Sequence, residues 1–383
     1  MILNEALQNV VDRNPWVPGL LFIETTTACE YACLHCRAVS QPEPSPDDLS
    51  TDELKEVLDQ ISGMEPSQPH LIFTGGNLLL RSDIQELISY ASESGIPFSL
   101  SPAASERLTE DFLLFARQKG ARSVSLSLDG SQESTHDRFR SMAGSYRLTI
   151  QLIRRIIEAG LKPQVNTTVH RGNVRELPGI LKLLHGIGVN TWELFFLIKT
   201  GRGVSVEDVT PSEYMQTIRW LSWIRGYGIN IRTVEGPLVR VIDRIPEEPS
   251  ETEGSLLMYL KNMALDLLGK PQNAVGEKLP HHEQGTKFTG TLFISHNGDV
   301  YPSGLFNFPL GNVRREKLEG VISRNAEMLD FRNYGKLNGK CGTCEFGKIC
   351  GGSRARAFAY SGDPYGSDPL CTYMPKIASM GAV

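Results

Sequence analysis

Seven cysteines carry most of the chemistry this 383-residue chain can offer, and they fall into two groups. Cys29, Cys33 and Cys36 lie within eight residues as C-x3-C-x2-C, in the stretch at 25–37 that follows the apolar run at 20–23. That spacing is too compact for three core cysteines and closes no unstrained disulfide set. It does let a short loop fold around one soft, thiolate-loving centre. An iron–sulfur cluster is the natural occupant, and three ligands leave one iron of a four-iron cubane open to chemistry. A three-ligand zinc loop is the alternative. The second group, Cys341, Cys344, Cys350 and Cys371, offers four thiolates, enough for a structural zinc or for a cluster ligated entirely by protein. Three and four account for all seven, so no thiol is left for a disulfide.

Composition narrows the setting. The 39 Lys and Arg stand against 44 Asp and Glu, a net charge of -5, with no basic tail or stripe to follow a phosphate backbone, so nucleic acid is not an expected partner. The first 18 residues lack the charged-then-apolar layout of a signal peptide, and no apolar run approaches a membrane span. A reducing cytoplasm is the expected compartment, where clustered cysteines are ligands rather than disulfides.

The elements that must position these thiols alternate. Residues 50–53, Ser-Thr-Asp-Glu, open a helix with hydroxyl caps and first-turn acids, and Leu54, Val57, Leu58 and Ile61 follow at helical spacing. Strands are expected at 70–74, 98–100, 123–128, 164–169 and 192–198, with helices at 82–92, 109–118, 146–159, 174–185 and 212–225. Strands rich in β-branched residues, each followed by a helix, imply parallel βαβ units, and six of them imply an α/β fold with an open, TIM-like partial (β/α)6 barrel. A closed eight-unit barrel is disfavoured because the alternation stops near residue 232. The expected organisation is a short N-terminal segment at 1–19, the barrel at 20–232, a helical bridge with a loop at 233–285, and a small cysteine-rich unit at 286–383. In the last unit His296-Asn297-Gly298-Asp299 marks a hairpin turn and residues 317–329 a short helix. His281-His282 reads as an exposed pair in a polar loop rather than a metal site.

In a βα barrel the reactive end is where the strands finish. The cysteine loop follows strand one, and Thr74-Gly75-Gly76-Asn77 follows strand two, with two glycines that permit close backbone approach or simply a tight turn. Strand four runs into Asp129-Gly130, and His136 to Arg140 leads to Gly144-Ser145. Arg140 suits a carboxylate partner, with a solvated surface arginine as the plainer reading.

Together these motifs resemble the radical S-adenosylmethionine (SAM) superfamily. The resemblance implies that Cys29, Cys33 and Cys36 hold a [4Fe–4S] cluster whose open iron chelates the methionine moiety of SAM, so that an electron from the cluster yields a 5′-deoxyadenosyl radical. It implies cofactor contacts from His35, Gly75, Gly76, Asn77, Ser127, Asp129, Arg140, Asn166 and Thr168: the Gly-Gly turn on the methionine amino group, His35 beside the adenine, and the strand-four and strand-five residues toward the ribose and carboxylate. Asn77 departs from the acid usual there, so its contact to the ammonium is expected to be weaker or made by backbone carbonyls. The C-terminal cysteines resemble a shortened SPASM extension with one auxiliary [4Fe–4S] cluster on Cys341, Cys344, Cys350 and Cys371. Ser303 and Arg354 stand where the ligands of a second auxiliary cluster would be.

The similarity points to haem-pathway enzymes and to relatives of peptide maturases. A hydrogen-abstracting oxidoreductase acting in tetrapyrrole-type cofactor maturation, such as oxidative decarboxylation, is the first expectation. A maturase of a precursor peptide is the second, and a non-catalytic metal-binding module the third. A small-molecule or peptide substrate and a reducing partner such as ferredoxin or flavodoxin are implied. Arg202, Arg354 and Arg356 are candidate carboxylate clamps, or else braces of glycine-rich loops.

Overall fold

The computed structural model describes residues 18–65, 68–246, 255–271, 290–329 and 334–376. His281-His282 and most of the acidic segment at 246–254 lie outside them. Seven parallel strands run in chain order across one sheet: β1 (Leu20–Glu24), β2 (His70–Thr74), β3 (Phe98–Leu100), β4 (Val124–Ser127), β5 (Pro163–Val169), β6 (Thr191–Phe196) and β7 (Asn230–Val234). The expected partial barrel is present, with one strand more than its sequence rhythm announces. β7 is short and polar, Asn-Ile-Arg-Thr-Val, and among the described residues pairs only with β6 at the sheet edge, so it carries no buried apolar run to betray it.

Side-chain alternation builds the two faces. On β5, Val165, Thr167 and Val169 are buried, while Gln164, Asn166 and Thr168 occupy the opposite, partly open face. On β6, Trp192, Leu194 and Phe196 are buried, and Glu193 shares the other face with Gln164, whose amide donates to it at 2.9 Å. The buried face packs on crossover helices α1 (Thr51–Ser62), α2 (Ile84–Glu93), α3 (Glu110–Gln118), α4 (Glu133–Arg140), α5 (Ser145–Glu158), α6 (Leu177–Ile187) and α7 (Pro211–Trp223). α1 starts as expected. The Ser50 hydroxyl accepts from the Glu53 N–H at 3.2 Å, and the Glu53 carboxylate accepts from the Ser50 N–H at 2.8 Å. α4 has no helical apolar stripe, being Glu-Ser-Thr-His-Asp-Arg-Phe-Arg, and periodicity could not announce it. After β7 the bridge supplies α8 (Leu256–Leu268).

The C-terminal unit joins the same sheet. β8 (Thr291–Ile294) pairs parallel to β1, β9 (Asp299–Tyr301) returns antiparallel to β8 through the Asn297-Gly298 turn, and β10 (Gly311–Asn312) pairs antiparallel to β9. Arg314, just past β10, grips Glu53 at the start of α1 with bonds of 2.6 and 3.0 Å, so hairpin and barrel share one corner. Helices α9 (Leu318–Leu329) and α10 (Arg354–Ser361) complete the unit, with two single-turn helices between them around the cysteines.

Candidate radical SAM site

The cysteine loop leaves β1 at the C-terminal end of the strands and is held by backbone bonds. Cys29 N–H donates to Gln41 O at 2.7 Å and Leu34 N–H to Phe139 O at 2.9 Å. Cys29 and Cys33 are buried in one small cluster with Tyr31, and Cys36 packs against it. Backbone amides approach two of the sulfurs, Tyr31 N–H to Cys29 Sγ at 3.4 Å and Ser40 N–H to Cys36 Sγ at 3.5 Å. Burial pushes the Cys29 thiol up to about 12 and raises Cys33 as well, so these sulfurs become thiolates only around a positive centre.

The glycines of the Gly75-Gly76-Asn77 turn serve this loop. Gly76 N–H donates to Thr26 O at 2.7 Å and Asn77 N–H to Ala28 O at 2.6 Å, and a Cβ on Gly76 would stand 2.2 Å from Ala28 O. Their close approach is thus to the backbone that carries the cysteines. Asn77 is fully buried; its oxygen accepts from Leu79 N–H at 3.2 Å, and its amide donates to Ser105 and, at 2.9 Å, to Glu30 inside the cysteine motif. A carboxylate therefore sits beside this turn after all, contributed by the loop rather than by position 77.

Asp129 and Arg140, both expected near the cofactor, pair with each other. Asp129 is fully buried and accepts from Arg140 Nε at 2.6 Å and from Thr168 N–H at 2.7 Å. Burial raises its carboxyl, but the Arg140 guanidinium outweighs that and holds it below the usual carboxylate range. Arg140's carboxylate partner is this internal aspartate, and its Nη1 donates toward Cys33 Sγ at 3.7 Å. Both residues support the cysteine loop, because a buried charge needs a buried partner. Asn166 accepts from Gln164 at 2.9 Å, and the hydroxyls of Ser127 and Thr168 have no protein partner among the described residues.

His35 lies beside Phe139, ring centroids 4.6 Å apart and nearly parallel, and Phe139 stacks in turn on His170 at 4.2 Å. One face of His35 is therefore covered by protein. His35 Nδ1 and His170 Nε2 are buried without a hydrogen-bond partner. Phe139 and His170 were not separable from core residues by sequence; only the run at 136–140 pointed near them.

All three candidate clamps prove to be braces. Arg202 donates to Cys33 O at 2.9 Å and to Ser40 Oγ at 2.9 Å, and its own N–H reaches Cys36 O. Gly201 before it has φ of 52°, and a Cβ there would stand 2.4 Å from the carbonyls of Cys36 and Arg37. Arg356 is fully buried against Asp368 at 3.0 Å and lies over the Tyr214 ring. Arg354 donates to Gly366 O at 2.7 Å and toward Cys341 Sγ at 3.7 Å. All four C-terminal cysteines line one small apolar cavity closed by Leu238, Val241 and Phe346.

Residues 23–184 match the family model of the radical SAM superfamily, and residues 287–345 that of SPASM, an iron–sulfur cluster-binding domain. An AdoMet-dependent heme synthase of Nitratidesulfovibrio vulgaris is 32% identical over 93% of this chain and 93% of its own length. The chain belongs to the radical SAM superfamily. A second AdoMet-dependent heme synthase, from Methanosarcina barkeri, is 31% identical over 94% of this chain, and a PqqA peptide cyclase of Rhodopseudomonas palustris 27% identical over 94%. Among solved structures, the fold is shared with Streptococcus suis SuiB bound to S-adenosylmethionine (TM-score 0.65, 15% identity, 97% of this chain and 81% of that one) and with anSMEcpe with bound AdoMet (TM-score 0.65, 15% identity, 92% and 93%).

A radical SAM domain works with an iron–sulfur cluster and AdoMet, and a SPASM domain carries auxiliary iron–sulfur chemistry. The residues present fit both groups. The front loop offers three packed thiols with amide and guanidinium donors around them, beside two unpartnered ring nitrogens. The rear cavity gathers four thiols in an apolar, desolvated wall.

Proposed function

We propose that this radical SAM enzyme removes carboxylate from propionate side chains of an iron porphyrin, in the manner of a haem-forming oxidative decarboxylase. The observation that carries the reading is similarity along nearly the whole length to enzymes named AdoMet-dependent heme synthase. A Fe-coproporphyrin III synthase of Methanosarcina barkeri, 26% identical, lies in the same neighbourhood.

In this reading the barrel occupies 20–232 and the auxiliary unit 286–383, with Cys29, Cys33 and Cys36 holding the SAM cluster and Cys341, Cys344, Cys350 and Cys371 the auxiliary one. Bound there, cluster and SAM supply an oxidant that takes one hydrogen atom. A propionate arm, –CH2–CH2–COO⁻, that loses this atom and then carbon dioxide and one electron becomes –CH=CH2, and a cluster held by Cys341, Cys344, Cys350 and Cys371 would be a suitable acceptor for that electron. The chain's own residues set the geometry: Arg202 and Gly201 fix the loop from one side, the Gly75-Gly76 turn from the other, and Arg140 brings positive charge to Cys33. Reduced ferredoxin or flavodoxin is the fitting electron donor, and a reducing cytoplasm the fitting compartment for seven free thiols. No helix among the described residues is long and apolar enough to cross a membrane.

Anaerobic incubation with Fe-coproporphyrin III, SAM and a reductant should give products lighter by carbon dioxide and two hydrogens per arm. Unchanged porphyrin under conditions that form 5′-deoxyadenosine would reject the reading. The similarity to PqqA peptide cyclase keeps a second one, modification of a precursor peptide, which 5′-deoxyadenosine formation stimulated by such a peptide and not by porphyrin would support.

A further inference from the structure

A polar cavity of about 190 Å³ opens between the cysteine loop and the C-terminal hairpin, lined by Arg37, Thr200, Gly201, Tyr301, Ser303 and Asn307 among others. We propose that it is an anion subsite that takes one carboxylate arm of the substrate, with Arg37 as its anchor; this rests on the proposed action on a propionate-bearing porphyrin.

Arg37 directly follows Cys36, so whatever it binds is held beside the front loop. Its guanidinium is only half used. Nη2 pairs with Glu24, a buried carboxylate also held by Ser295 Oγ at 3.0 Å and His296 N–H at 3.3 Å, and the flat face lies over the Phe293 ring. Nε and Nη1 have no protein partner among the described residues, and the side chain keeps a quarter of its surface exposed. Gly304 closes in on the Phe293 ring under this guanidinium, where a Cβ would stand 3.0 Å from the ring and 3.6 Å from Arg37 Nε.

The other lining groups are donors without partners. Thr200, Tyr301 and Asn307 make no side-chain hydrogen bond among the described residues, and the Ser303 hydroxyl accepts from Leu305 N–H at 3.3 Å with its own hydrogen free. Among the described residues no carboxylate lines the cavity. Asp299, two residues before Tyr301, is turned to Asn297 and Asn312 at 2.9 and 2.8 Å. An excess of N–H and O–H donors around one arginine is the chemistry of a carboxylate site. The volume decides what enters: it is below the roughly 300 Å³ at which whole small-molecule sites begin, yet holds several waters' worth of space, so it suits one arm rather than a macrocycle.

The test is binding of Fe-coproporphyrin III to the anaerobically reconstituted protein, read from the Soret band, with [¹³C]propionate binding by NMR as a second probe. Ser303→Asp keeps an acceptor for Leu305 N–H and places a negative charge beside Arg37; Ser303→Asn is its neutral control. We expect Ser303→Asp and Arg37→Gln each to weaken porphyrin binding tenfold or more, Ser303→Asn to stay within about twofold, and the propionate signal to vanish in the first two. If Arg37→Gln does not fold because Glu24 loses its partner, Ser303→Asp decides alone. Porphyrin bound equally by wild type and Ser303→Asp overturns the subsite and leaves the porphyrin reading standing. Propionate binding sensitive to Ser303→Asp, without porphyrin binding, overturns the porphyrin reading and supports a subsite for a carboxylate of another substrate, such as an acidic peptide side chain.

Discussion

The Arg140 guanidinium stands 3.7 Å from the Cys33 sulfur while Asp129 holds it at 2.6 Å, so a buried ion pair is aimed at one thiol of the front loop. Replacing Arg140 by Gln keeps the bulk but strands the fully buried Asp129 without its countercharge. A loss of about 3–5 kcal/mol in unfolding free energy is expected from such an unpaired charge. The same change removes positive charge next to the thiolate, so the front cluster's potential should become more negative in a redox titration followed by EPR. An unchanged potential would show that Arg140 acts only through packing.

Gly76 and Gly201 press on the cysteine loop from two sides, and neither leaves room for a methyl group. Gly76→Ala and Gly201→Ala should each lower the front-cluster iron retained after reconstitution, seen as a loss of up to about four irons per chain with the auxiliary cluster intact. Full iron content in both variants would contradict the packing described.

Arg356 separates a structural from a substrate role. Arg356→Met should destabilise the protein by about 3–5 kcal/mol in chemical denaturation, because Asp368 is left buried and unpaired. A change in substrate KM with wild-type stability would instead restore the carboxylate-clamp reading.

His136 and His170 are both held down to about 4, mainly by burial. His136 Nδ1 accepts from Asp129 N–H at 3.0 Å and so must stay unprotonated. A histidine with a depressed folded pKa gives stability that is complete above its ordinary value of 6.5 and is lost as the pH falls from there toward 4. Each should cost about 1.4 kcal/mol per pH unit inside that window. Thermal melts between pH 7 and 5 should fall less steeply for His136→Gln than for wild type.

The sequence made some features legible because they are local. Cysteine spacing, the Ser50–Glu53 capping box, the Asn297-Gly298 turn and the alternating strands each depend on residues within a few positions of one another, and all appear where expected. What it could not disclose is which partner a charged residue chooses. Arg140 and Asp129 both looked like ligand contacts and found each other; Arg202, Arg354 and Arg356 looked like clamps and bind carbonyls, a thiol and Asp368. The parallel pairing of β8 with β1 joins segments some 270 residues apart, which no local pattern encodes. No local pattern marks Arg37 as an anion anchor either, since its cavity is assembled from three distant stretches.

The central claim, that hydrogen abstraction occurs on a propionate arm, is tested most directly with Fe-coproporphyrin III deuterated at the arm carbon attached to the ring. The account predicts one deuterium in the 5′-deoxyadenosine formed, in step with vinyl product, and none of either when Cys29, Cys33 and Cys36 are replaced by Ala. Deuterium-free 5′-deoxyadenosine formed without any vinyl product would contradict it.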